Sequence, residues 1–340
     1  MLCIKGSHVY KQQKRYGREK DNLMNCKQNQ LPLRMMIKHM NQYFSKSDMS
    51  KYTEIAIAYD FDGTLAPGNM QERSFLPALN INKQDFWNEV KDMSEANDMN
   101  EILSYMHLML RKANEKNQQI TKQAFRDHGK DIEFFAGVEE YFDKINGYAK
   151  TKNIKVNHYV ISSGLRDIIE GTSIYEKFTN VFASGYKYNV NGYAEWPAVA
   201  IDYTNKTQFL FRVNKGINNS WDNSTINEFL AEEERPIPFS RMIYIGDGET
   251  DIPAMKMINY QGGTSIAVYN PNVRTKAGQK ARQTCLKLIK QKRATHIAPA
   301  DYTENSRLYN IIRLTIDAIS AHAELSKFVK DKSRVKSLLH

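Results

Sequence analysis

Two carboxylates one residue apart, Asp60 and Asp62, end the apolar run Ile55-Ala56-Ile57-Ala58-Tyr59 and are followed by Gly63 and Thr64. Side chains at i and i+2 leave an extended chain on the same side, so both carboxylates can face one crevice while Phe61 turns away. Gly63 lets the backbone turn sharply, and Thr64 can offer a hydroxyl to a bound anion. The plain alternative is a surface turn, because Asp-Gly is a common turn pair. Other candidate strand ends carry polar groups as well. Val156 to Ile161 runs into Ser162-Ser163-Gly164, and Met242 to Ile245 closes on Gly246-Asp247-Gly248-Glu249-Thr250-Asp251. Lys206 stands where a loop meets a helix. Carboxylates converging on one crevice repel each other unless a cation neutralises them. Oxygen-only ligands favour Mg²⁺, and a metal, a lysine and a hydroxyl together clamp a phosphoryl group.

The elements that must position these groups alternate between strand and helix. Ile55 to Tyr59 lacks clean apolar/polar alternation, as expected of a strand buried on both faces of a parallel sheet. Ligands bind beyond the carboxyl ends of such strands. From Pro67 to about Phe135 the pattern is helical, with Asn82 and Thr121 as N-caps, and no β-rich run interrupts it. Helix Val138 to Ile145 follows, then the strand to Ile161, a short helix from Leu165, and a strand at Val181 to Ala183. Asn191-Gly192 between alternating residues predicts a hairpin over Tyr186 to Trp196. Beyond the helix that starts near Lys206, 214–238 reads as a surface loop with a helix around Ile226 to Leu230. Helix Ile252 to Ile258, strand Ile266 to Val268, a basic helix, a short strand near Ile297 and a helix over Leu308 to Ala321 complete the order. The expected fold class is α/β, a doubly wound parallel sheet. The expected organisation is a flexible basic leader at 1–50, a core at 51–66 and 136–325, an inserted helical cap at 67–135, and a basic tail at 326–340.

The formal net charge of +10 is unevenly placed. Residues 1–50 hold ten Lys/Arg against three acids, so +7 of it lies there. A second basic run, with eight Lys/Arg between Arg274 and Arg293, reads as an exposed helix face rather than a nucleic-acid site. No stretch approaches the roughly 20 apolar residues of a membrane helix, and no apolar h-region marks a secretory signal. Cys3, Cys26 and Cys285 have no metal-like spacing and suit a reducing compartment, so a cytoplasmic location is expected. His107, His128 and His158 are scattered and read as packing or surface groups.

Asp60-Phe61-Asp62-Gly63-Thr64, Val160-Ile161-Ser162, Lys206 and Gly246-Asp247-Gly248-Glu249-Thr250-Asp251 resemble, in order, the four motifs of the haloacid dehalogenase superfamily, specifically its phosphatases with a helical cap. The resemblance spans roughly 51–310, and the hairpin before Lys206 is similar to that of phosphoserine-phosphatase-type members. It implies that Asp60 is a nucleophile forming an aspartyl-phosphate. Asp62 protonates the leaving oxygen and then activates water. Mg²⁺ is held by Asp60, the backbone carbonyl of Asp62, and Asp247, while Asp251 holds the metal or its water, or orients Lys206. Ser162 binds the phosphoryl group, with Gly63, Thr64, Ser163 and Gly164 around it. Ser163 is a rival for Ser162. Lys215 is a rival for Lys206, whose gap of 41 positions to Asp247 is long for the family.

The expectation is a Mg²⁺-dependent phosphomonoester hydrolase acting on a small phosphorylated metabolite. Its alternatives are a phosphotransferase or nucleotide phosphatase and, in other classes, a nucleic-acid-associated protein or a phosphate-binding regulator without turnover. Tyr105, Arg111, Lys112 and Arg126 are cap residues from which specificity could come. The sequence does not say which of them faces the cleft, nor the oligomeric state.

Overall fold

The computed structural model describes residues 52–118 and 120–336. The basic leader at 1–50, with Cys3 and Cys26, lies outside the described residues. Strand β1 (Thr53–Tyr59) is the centre of a seven-stranded sheet. On one side stand β2 (Ile154–Leu165), β3 (Asn180–Tyr188) and β4 (Ala194–Val199). On the other are β5 (Met242–Gly246), β6 (Thr264–Tyr269) and β7 (His296–Pro299). All pairings are parallel except β3 with β4, which form the hairpin expected from Asn191-Gly192.

The double-sided burial read from β1 is explicit in its packing. Ile55, Ile57 and Tyr59 enter one apolar cluster, and Ala56 and Ala58 enter a second on the opposite face. Helices α6 (Val138–Thr151), α7 (Arg166–Ile169) and α12 (Arg307–Lys336) cover the first face. Helices α8 (Lys206–Lys215), α10 (Ile252–Tyr260) and α11 (Lys276–Lys290) cover the second. The sheet is therefore doubly wound. Because the chain leaves β1 towards β2 and later returns to β5 on the other side, the carboxyl end of β1 is the switch point where such sheets bind ligands.

Between β1 and α6 lie α1 (Met70–Arg73), α2 (Phe75–Ala78), α3 (Lys83–Asn97), α4 (Glu101–Glu115) and α5 (Lys122–Gly129). Asn82 caps α3 and Thr121 caps α5 through side-chain oxygens, satisfying amides that a helix start leaves without partners. These helices do not stand apart. Their buried residues join the first apolar cluster, the Tyr186 hydroxyl donates to the Met106 carbonyl at 2.7 Å, and the Ala194 amide donates to the Ile120 carbonyl at 2.8 Å.

Several boundaries differ from the sequence expectation. The helix expected around Ile226 to Leu230 lies earlier, as α9 (Asn223–Asn227), where Asp222 supplies the cap. The last helix runs past Ala321 to Lys336 and takes in the first part of the expected tail. His158 is a packing group, as expected. It is buried with Nδ1 2.9 Å from the Tyr59 hydroxyl and Nε2 3.0 Å from Asn146 Oδ1, and burial pushes its pKa down to about 3.

Phe125 of α5 stacks on Tyr186 of β3 with ring centroids 5.4 Å apart and planes 4° from parallel. It is fully buried, so Phe125→Ala leaves a cavity where the inserted helices meet the sheet. The expected cost is about 3–5 kcal/mol in chemical denaturation. A loss below about 1 kcal/mol would show that this contact does not hold the helices on the sheet.

Candidate active site

The end of β1 delivers Asp60 into the switch point. Its amide donates to the Ile245 carbonyl of β5 at 2.9 Å, and the Phe61 amide donates to Asp60 Oδ1 at 2.8 Å. Phe61 turns into the core against Phe134. Asp62 returns to the cavity side, where its Oδ1 accepts the Met70 amide at 3.0 Å at the start of α1. Gly63 follows with φ +76°, and a Cβ there would lie 2.1 Å from Asp247 Oδ2. Both the backbone angle and the approach of a second carboxylate therefore require glycine.

Lys206 is the first residue of α8 and is 1% exposed. Its Nζ lies 3.1 Å from Asp60 Oδ1 and 2.7 Å from Asp251 Oδ1. Lys215, the sequence rival, ends the same helix and instead donates to the carbonyls of Ile226 and Glu228. Asp251 is fully buried and held from several sides. Besides Lys206, the Tyr244 hydroxyl donates to its Oδ1 at 2.7 Å, and the Gly248 amide donates to Oδ2 at 3.4 Å. Gly246 makes room for it, since a Cβ there would lie 2.3 Å from Asp251 Oδ2.

Asp60, Asp247 and Asp251 each present a carboxylate oxygen within 4.8 Å of the others. This crowding is expensive. Burial raises Asp60 to about 6 against the opposing pull of Lys206, with Asp251 adding to the rise. Asp62 and Asp247 are pushed well above the usual carboxylate range by burial and then by neighbouring carboxylates. A site whose acids resist ionisation this way, with oxygen donors only, fits a divalent cation.

Asp60, Asp62 and Asp247, but not Asp251, face a cavity of about 620 Å³, a size suited to a small molecule. Asp60, Asp62, Gly63, Ser162, Ser163, Gly164 and Asp247 line it. Ser162 is buried, with Oγ accepting the Gly164 amide at 3.1 Å, and the Ser163 carbonyl accepts the Tyr105 hydroxyl at 2.6 Å. Thr64 departs from expectation. It is fully buried and not among the lining residues, because the turn directs its side chain into protein, and its Oγ1 has no hydrogen-bond partner. Of the four cap residues singled out from sequence, only Tyr105 lines the cavity. Arg111 and Lys112 pair with Glu89, and Arg126 pairs with Glu170. Sequence reasoning missed Tyr244, whose one signal was a hydroxyl-bearing ring within an apolar strand, and Glu101, Trp87 and Tyr203 of the cavity wall.

Known proteins with related sequence or structure cover most of this chain. An uncharacterized protein of Borreliella burgdorferi is 28% identical over 285 residues, covering 76% of this chain and 95% of that protein. Among solved structures, a phospho-aspartyl intermediate analogue of phosphoserine phosphatase is 15% identical with a TM-score of 0.45, covering 77% of this chain and 99% of that one. A probable phosphoserine phosphatase from Vibrio cholerae is 8% identical with a TM-score of 0.49, covering 79% of this chain and 67% of that one. Neither structure reaches a TM-score of 0.5. Residues 57–256, more than half of the chain, match the model of the family described as haloacid dehalogenase-like hydrolase. That span runs from within β1 through the carboxylate pair and Lys206 into α10, and the chain belongs to this family.

Proposed function

We propose that the chain is a Mg²⁺-dependent phosphomonoester hydrolase working through an aspartyl-phosphate, with residues 67–135 as its cap. The observation that carries the reading is the meeting of Asp60, Asp62 and Asp247 at one cavity, with the Lys206 ammonium bridging Asp60 and Asp251 behind it. Asp60 Oδ1 is committed to Lys206 and the Phe61 amide, so Oδ2 is the oxygen that attacks phosphorus. As the phosphorus–ester bond breaks, Asp62, whose carboxyl is pushed well above the usual carboxylate range by burial and then by the Asp60 charge, gives its proton to the leaving oxygen. Asp62 then takes a proton from a water that attacks the phosphorus of the acyl phosphate. The bond to Asp60 breaks, and inorganic phosphate leaves. Ser162 and the amides near Gly63 and Ser163 surround the phosphoryl oxygens.

Asp60, Asp247 and the Asp62 backbone carbonyl would hold the cation. When bound, it neutralises charge building on the phosphoryl oxygens. Asp251 has Oδ1 occupied by Lys206 and Tyr244, which supports the role of orienting the lysine over that of a direct ligand.

Release of phosphate from an aryl phosphate tests the chemistry. Asp60→Asn should lower kcat about a thousandfold or more, and Asp62→Asn by roughly 10²–10⁴. The general acid must be protonated, so wild-type activity should fall as pH rises through the raised pKa of Asp62, and this limb should be absent in Asp62→Asn. Turnover surviving Asp60→Asn would overturn the nucleophile. A product carrying the phosphate on an added alcohol would point to phosphotransfer.

The metal reading has its own test in stability. Asp247 titrates higher in the fold than in the unfolded chain. Its ionised form therefore costs stability at neutral pH, and the cost vanishes as pH falls below the unfolded value near 3.9. Asp247→Asn should accordingly stabilise the metal-free protein at pH 7 by on the order of 1 kcal/mol and remove the rise in Tm that Mg²⁺ gives the wild type. An undiminished Mg²⁺ shift in the variant would exclude Asp247 as a ligand.

A further inference from the structure

The cavity wall that the inserted helices contribute has a definite chemical character. Glu101, Trp87, Tyr105 and Tyr203 contribute to it, and among the described residues no Lys, Arg or His lines the cavity. Lys206 is buried behind Asp60 rather than on the wall. The basic run expected from sequence does not supply a cation either. Helix α11 lends its cap Thr275 together with Gly278 and Ala281, while its lysines and arginines stay off the wall. The inserted helices hold Arg111, Lys112 and Arg126 in ion pairs elsewhere.

Glu101 stands exposed at the cavity rim. It is the first residue of α4, where a negative charge suits the helix N-terminus. Asn100 caps that helix and donates from Nδ2 to Asp202 Oδ2 at 2.6 Å, tying the insertion to the loop before α8. The Tyr203 hydroxyl on that loop donates to Glu101 Oε2 at 3.4 Å. Tyr105 stands one helical turn after Glu101 in α4, its ring meets Trp87 at 67° with centroids 5.9 Å apart, and both rings line the cavity.

A leaving group with a carboxylate or a second phosphate would bring negative charge to a wall that offers Glu101 and no cation. A neutral alkyl group would use the rings but gain nothing from the Glu101 carboxylate. An amine or quaternary ammonium satisfies both, through Coulomb attraction to Glu101 and through the electron-rich ring faces. Building on the phosphatase reading above, we propose that the substrate is a phosphomonoester of an amino alcohol, whose cationic end lies against Glu101, Trp87 and Tyr105 while its phosphate meets Asp60. Hydrolysis consumes one water and releases the amino alcohol and inorganic phosphate.

The test compares kcat/KM of the full chain for choline phosphate and for its neutral isostere, in which carbon replaces the quaternary nitrogen. Phosphoglycolate serves as the anionic member and an aryl phosphate as control. The cationic ester should exceed the neutral isostere by about tenfold or more and phosphoglycolate by a wider margin. Glu101→Gln should bring the cationic-to-neutral ratio down severalfold. If Glu101 and Tyr203 only latch the insertion closed, the variant would change both substrates by the same factor, and the proposal would fall. A wild-type ratio near one, with the aryl phosphate hydrolysed, would overturn the cationic substrate and leave the phosphatase reading standing. No phosphate release from any of the esters would overturn both.

Discussion

The ammonium of Lys206 sits between the carboxylates of Asp60 and Asp251 where water does not reach. Desolvating these three charges opposes folding, and their mutual attraction offsets the cost only with close geometry and further hydrogen bonds. The surroundings supply both. Tyr244 and the Gly248 amide hold Asp251, and the Phe61 amide holds Asp60. Gly63 and Gly246 leave space for Asp247 and Asp251, where any Cβ would collide with a carboxylate. Each partner comes from a different element: β1, the start of α8, β5 and the turn after β5. The ion triad therefore also fixes how those elements meet.

The sheet makes that meeting possible. β1 sends alternate side chains to two separate apolar clusters, so its backbone is immobilised from both faces before the chain reaches Asp60. β5 does the same with Ile243 and Ile245 on one face and Met242 and Tyr244 on the other. Tyr244 carries a polar tip on an otherwise apolar ring, so the residue that packs α10 and α8 against the sheet also orients Asp251. Burial and chemistry share one side chain there.

How much of this is visible in the sequence depends on whether position along an element or contact between elements decides the matter. Asp60 and Asp62 are legible because an i, i+2 spacing at the end of a buried strand has one geometric consequence. Asn82 and Thr121 are legible because capping is local. Lys206 against Lys215 is not settled by the gap to Asp247, since both belong to α8. They are its first and last residues, roughly 13 Å apart along the axis, and only the docking of that helix decides which end meets Asp60. Thr64 misleads for a similar reason. Its hydroxyl suits an anion, but the turn set by Gly63 directs it into protein. The cap residues are least legible of all. Arg111 and Lys112 are diverted by Glu89, a partner on the neighbouring helix α3.

The inserted helices also form part of the site wall. Their contact with the core is continuous, through Phe125 on Tyr186, Tyr105 on the Ser163 carbonyl and Asn100 on Asp202. The Tyr105 hydroxyl binds the strand segment that carries Ser162, while its ring faces Trp87. One residue thus links the wall that would meet the leaving group to the loop that would meet the phosphate. A cation drawn to Glu101 would be placed by the same tyrosine that positions the phosphate loop. Selectivity at the rim and alignment at Asp60 would then be coupled through Tyr105, and a substrate lacking the cation would lose both attraction and alignment.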